Sequence, residues 1–207
     1  MDKIFEKKEY VVSGPFGICI VENITKLVSG REQQMEYYVL RSISDKTKKC
    51  YIPVKEHETV LRVPMTEEEA RSLLERIKMT LKKAADNFEG EIVDKTGEEN
   101  TEEKVVTRND AESNVEEQVS EKNGENLLQI CGIFTLLDAK EMLESGNPEE
   151  WAKAVCYLYQ NASSIDSQME DVLQKIWKNL REELAFVLKR TQEEICGYID
   201  RNYKKTI

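Results

Sequence analysis

The chain predicts an α+β protein of two domains, a small SH3-like or Tudor-like β-barrel at the N-terminus followed by an all-α helical bundle at the C-terminus. Three observations carry this. Between Tyr10 and Pro64 the apolar residues come in short runs parted by tight turns and alternate with period two. From Thr66 onward the apolar spacing lengthens to that of a helix. A strongly acidic stretch then divides the helical sequence in two.

The barrel, residues 1–65, opens with "YVVSGPFGICIVENI": Tyr10-Val11-Val12, a turn through Ser13-Gly14-Pro15-Phe16-Gly17, and a second run Ile18-Cys19-Ile20-Val21. β-branched and aromatic residues fit a half-buried pleated surface, and Gly and Pro fit the turn, so this reads as strand, turn, strand. A turn near Ser29-Gly30 leads to "MEYYVLRSI", where Tyr37 and Val39 share one face and Tyr38 and Leu40 the other. Asp45 to Lys48 is polar and turns the chain into "KKCYIPV", a short strand ending at Pro53, and "VLRVP" completes the set.

A connecting helix, residues 66–85, starts at the capping box Thr66–Glu69 and places Ala70, Leu73, Leu74, Ile77 and Leu81 on one stripe. Residues 86–126 hold 14 acidic and 4 basic groups among Asn, Thr and isolated valines, which predicts a disordered linker. A tether of that composition spans on the order of 35 Å, so the flanking domains need not touch. The helical domain, residues 127–207, is marked out by its caps. "LLQICGIFTLLDAKEMLESG" stops at Gly146, Asn147-Pro148-Glu149-Glu150 starts the next helix, and Thr191 with Glu194 starts the last. Between them Met169, Leu173, Ile176, Trp177, Leu180, Leu184 and Val187 form a stripe.

The net charge of −10 lies wholly in the linker, and the other residues balance at 26 acidic and 26 basic. Nothing in that balance demands a nucleic-acid partner. Five scattered cysteines without a CxxC pair signal neither a disulfide framework nor a zinc site. The charged start "MDKIFEKKEY" is not a signal peptide and no apolar run is long enough for a membrane span, so a cytoplasmic protein without a membrane partner is expected. The one histidine, His57, lacks a paired nucleophile, and no phosphate-loop, dinucleotide, hydrolase-elbow or zincin motif occurs. The residues therefore predict no enzyme, no catalytic residue, no metal, no cofactor and no small-molecule substrate. Trp151 and Trp177 sit at core spacing. Lys175, Lys178 and Arg181 recur every third residue and are the candidates for weak contact with phosphates.

The order of these motifs resembles the CarD/CdnL family of bacterial transcription regulators, whose N-terminal domain is shared with the transcription-repair coupling factor. The features that carry it are Val11-Val12 before the turn, Gly17, Val21-Glu22, Ile24, Gly30, the Tyr37-Tyr38-Val39-Leu40 strand, Ile52-Pro53-Val54 and Leu61-Arg62, then "LESGNPEEWAKAVCYLYQ" and "NLREELAFVLKRTQEEICGYID". The resemblance implies that the barrel is an RNA polymerase interaction domain docking on the β subunit by edge-strand addition, with Lys26 and Tyr51 at the family's contact positions and Lys49 and Ile52 beside them. In the family a tryptophan and a basic pair of the helical domain meet promoter DNA. Here those positions fall at Gly132, Phe134 and Thr135, so only weak, non-specific DNA contact is implied. Two readings follow: a CarD-like transcription regulator that modulates initiation, and an adaptor whose helical domain recruits a protein through an apolar groove from Gly132 to Leu137.

Overall fold

Tyr10–Ser13 (β1) and Gly17–Val28 (β2) pair antiparallel across the Gly-Pro-Phe turn, Ser13 facing Gly17 and Tyr10 facing Ile20. The computed structural model from which this is read describes residues 5–28, 34–55, 61–93, 128, 130 and 132–203. Gln34–Ser42 (β3) pairs along β2, with a bulge between Val21 and Asn23 that leaves Glu22 unopposed. Lys49–Pro53 (β4) adds to β3, and Leu61–Arg62 (β5) adds to β1. The five strands stand in the order β4-β3-β2-β1-β5, a row with two ends. Among the described residues the sheet is open, and the closure of the expected SH3-like barrel is not seen. The physical reason is the brevity of β5, two residues paired only with β1, and nothing among the described residues joins it to β4.

Among the described residues five helices follow: Glu67–Val93 (α1), Leu136–Ser145 (α2), Pro148–Asn161 (α3), Ser167–Leu188 (α4) and Gln192–Tyr203 (α5). Their starts are chemical. Thr66 and Glu69 exchange side-chain-to-backbone bonds at α1, Thr135 and Asp138 do the same at α2, and Asn147, Asp166 and Thr191 cap α3, α4 and α5. The helix read as starting near Leu127 begins at Leu136, because Thr135 and Asp138 supply a box that the apolar run upstream concealed. α1 continues to Val93, into the segment read by composition as linker, and residues 94–127 lie outside the described residues, as do His57 and Cys131.

One face of the sheet closes over a small core of Phe5, Val11, Cys19, Val21, Tyr38, Leu40 and Leu61. The other face, at the β1–β2 end, gives Val12 and Ile18 to the large core of the helices, alongside Trp151, Ile176 and Leu180. The two domains therefore share a core, although a tether of that length does not oblige them to touch. α4 lies at the centre, packed against α1, α2, α3, α5 and β2. Trp151 and Trp177 are both buried, as core spacing predicts.

Candidate functional site

β4 is an edge strand, and among the described residues nothing pairs with the outer side of its backbone. Ser42 donates its N–H to the Lys48 carbonyl, which makes that pair hydrogen-bonded, and alternation along an antiparallel ladder then bonds Leu40 with Cys50 and Tyr38 with Ile52. Lys49, Tyr51 and Pro53 consequently turn their main-chain groups away from β3. Pro53 has no N–H to offer the ladder, and it sits at a position where none is asked for. The unpaired donors and acceptors of Lys49 and Tyr51 are the groups that an incoming strand would use.

The side chains divide by face. Tyr51 is 52% exposed and stands opposite Val39, on the face that carries Tyr37 and Asn23. Ile52 turns inward against the small core, so among the four residues read as polymerase-binding it offers a partner the least surface. Lys49 bonds the Glu22 carboxylate at 2.8 Å, and Arg41 pairs with the same carboxylate. The Lys49 hydrogen bond, then the Arg41 charge, hold Glu22 below the ordinary carboxylate range. The bulge that frees Glu22 from the ladder thus neutralises the basic flank of the edge. Lys26 lies farther along β2, well exposed, 3.6 Å from Glu36. Lys26, Lys49 and Tyr51 are on one sheet but not in one cluster.

The cations of α4 do not form a strip. A step of three residues turns a helix by about −60°, so Lys175 and Arg181 diverge by about 120°. Lys175 is exposed. Lys178 leans toward Glu182 at 3.9 Å. Arg181 is spent inside the protein: its Nε donates to Gln192 Oε1 at 3.1 Å, its Nη1 to Cys196 Sγ at 3.2 Å, and its guanidinium lies 5.6 Å from the Trp177 ring. Likewise Phe134 packs on Tyr157 with ring centroids 4.7 Å apart, and Thr135 caps α2. Ile133 and Leu137 beside them are 94% and 65% exposed.

Sequence reasoning missed the junction of sheet and helices. Arg62 of β5 donates from Nη1 and Nη2 to the two oxygens of Glu183 on α4, at 2.7 and 2.6 Å, and from Nε to the Gly146 carbonyl at 2.5 Å. Met65 N–H completes the set on Glu183 Oε1 at 2.9 Å. Asn179 Nδ2 donates to the Gly14 carbonyl at 2.8 Å. The neighbouring Glu182 also faces the sheet. Its carboxyl is pushed above its ordinary value by burial, against the pull of Ser44, Lys178, Arg181 and Lys48.

A raised carboxyl favours the native state while protonated and disfavours it once ionised. The contribution is present below the ordinary value of 4.5 and lost as pH rises through the raised one. Glu182→Gln should therefore melt above the wild type at about pH 8, with the margin closing at about pH 4. Thermal unfolding at both values checks this, and a Gln variant less stable at the higher pH would refute it.

The buried thiols Cys19 and Cys156 are poor nucleophiles, whereas the hydrogen bond with Cys19 lowers the pKa of Cys50. Burial pushes Cys156 up to about 12, and Cys19, hydrogen-bonded to Cys50 and buried, is pushed up as well. Among the described residues no group of three His, Cys, Asp or Glu is placed to hold a metal ion, and no helix is long and apolar enough to cross a membrane.

Residues 5–64, β1 to β5 with their turns, match the family model described as the CarD-like/TRCF RID domain. This part of the chain is similar to such a domain, and the likeness implies interaction with RNA polymerase and a role in transcription. The match ends where α1 is about to begin, so it covers the sheet and not the helices. No curated protein matches the chain.

Proposed function

We propose that the chain is a CarD-like transcription regulator of the bacterial cytoplasm, which binds the β subunit of RNA polymerase by adding a polymerase strand to β4 and modulates initiation. The observation that carries it is the outward-facing main chain of Lys49 and Tyr51 on an edge strand of the matched domain. Side chains supply the choice of partner: Tyr51 and Val39 offer an aromatic and apolar surface beside the edge, and Lys26 an exposed charge. The protein works by binding, not by catalysis. Promoter DNA meets at most Lys175 and Lys178, too few cations for tight non-specific binding.

Tyr51→Pro tests the edge. Proline removes the outward N–H and leaves the ladder to β3 intact. The variant should keep its fold and lose at least about tenfold in affinity for polymerase, since a main-chain donor and an anchoring aromatic go together. Lys26→Glu should weaken the same complex, by less. Undiminished affinity in Tyr51→Pro, measured by titration against polymerase, would remove β4 as the docking edge.

The adaptor reading is favoured by Ile133 and Leu137, apolar side chains left in solvent at the start of α2. Because α1 packs on α3, α4 and α5, the full chain and not the fragment 127–207 is the right object to test. If the helices recruit a protein, Ile133→Asp with Leu137→Asp abolishes a third component in complexes with polymerase. If they touch DNA weakly, the complexes with polymerase have the same components with the doubly changed protein as with the wild type.

A further inference from the structure

The default for two domains joined by a chain is relative motion, unless the contact between them is large and apolar or otherwise locked. Here the contact is both apolar and polar. Val12, Ile18 and Met65 enter the core of the helices, and the polar ties surround that seam. Arg62 reaches three helical elements at once: Gly146 after α2, the Trp151 ring of α3 at 5.7 Å, and Glu183 of α4. The Glu183 side chain is fully buried, and among the described residues every hydrogen bond to its oxygens comes from Arg62 or Met65, on the sheet side of the seam. A buried carboxylate with no donor of its own domain cannot leave those partners without an uncompensated charge. Asn179 and Gly14 add a second tie about one helical turn away.

We infer that Arg62 and Glu183 form a fixed joint holding the helical bundle in one orientation on the sheet, so that a partner gripped at β4 meets the exposed start of α2 at a set place. This rests on the reading of the sheet as the docking domain. Arg62 and Glu183 are positioning residues, since neither is at the β4 edge. Two consequences separate a joint from a merely stabilising contact. The halves tumble together in the free protein, and loosening them removes the effect on transcription while leaving polymerase affinity alone.

The test compares the full chain with Arg62→Gln combined with Asn179→Ala, which removes the Arg62 and Asn179 ties and leaves the Met65 N–H bond to Glu183 and the shared apolar core. Backbone ¹⁵N relaxation reads the tumbling of sheet and helix amides separately. Titration reads polymerase affinity, and a purified promoter assay reads the change in transcript yield. The expected result is one correlation time in the wild type, two in the variant, affinity within about twofold, and loss of the change in yield. Should the double variant not fold, Glu183→Gln, which keeps the shape and removes the charge, takes its place with the same readouts. Separate tumbling in the wild type overturns the joint. So does single tumbling in the variant, or divergent tumbling with the transcriptional effect unaltered. A wild-type chain that does not bind polymerase overturns the reading of the sheet alone, because the tumbling comparison still decides the joint.

Discussion

Arg62→Ala should lower the unfolding free energy by about 3–5 kcal/mol, the cost of leaving a buried charge without its partner. Glu183 is the reason. Its side chain is fully buried, and Arg62 supplies two of the three bonds it accepts. Met65 N–H remains, but one neutral donor does not balance a full charge in a medium of low dielectric. The guanidinium also lies over Trp151, so truncation uncovers part of a ring that is otherwise fully enclosed. Denaturant unfolding of the two proteins side by side measures the loss.

The same pair makes an opposite prediction when both partners are changed. Replacing Arg62 by Met and Glu183 by Leu removes the charges together and fills the space with apolar atoms, which in buried pairs is often neutral or stabilising. A double variant as stable as the wild type beside a badly destabilised Arg62→Ala would show that the pair sets geometry more than it adds stability. Equal losses in the two would show that the bonds themselves hold the fold.

The elements were legible because their signals are local. Period-two alternation at Tyr37 to Leu40 gave β3, and the boxes at Thr66–Glu69 and Thr191–Glu194 gave two helix starts to the residue. The box at Thr135–Asp138 is as local, but eight apolar residues of Leu127 to Leu137 drew the start upstream. The joint was not legible at all. Arg62 and Glu183 are 121 residues apart, and "REEL" reads as the solvated side of an amphipathic helix. That reading assumes one face in water, whereas α4 is central and surrounded, so Asn179, Glu182 and Glu183 are buried on its polar side as Leu180 and Leu184 are on its apolar side. The edge of β4 stands between these cases. Pro53 marks an edge in sequence, but which residues turn their backbone outward follows only from the register with β3.

Gly14→Ala should be the most costly single methyl in the sheet, about 3 kcal/mol, at the upper end of what overpacking a tight contact costs. A Cβ on Gly14 would stand 2.2 Å from the Leu143 carbonyl oxygen and 2.4 Å from that of Glu144. Both are backbone atoms at the end of α2, so no rotamer change relieves the clash and the turn must lift from the helix. Lifting it draws the Gly14 carbonyl away from Asn179 and strains the seat of Arg62 on Gly146, so the polar ties fail together. Gly132→Ala is the comparison that isolates this cause. Gly132 has φ of 89° with nothing within 4 Å of its added Cβ, so its replacement costs backbone strain alone, about 1–2 kcal/mol. At 2–4 °C per kcal/mol for a chain of about this size, Gly14→Ala should melt roughly 6–12 °C below the wild type and Gly132→Ala only a few degrees below. If the two fall equally, the turn is not pressed against α2 in solution, and Gly-Pro-Phe-Gly serves the hairpin alone. If Gly14→Ala falls further, the turn is held for its contact with the helices as much as for its own geometry, and the sheet cannot bind its partner without carrying the bundle with it.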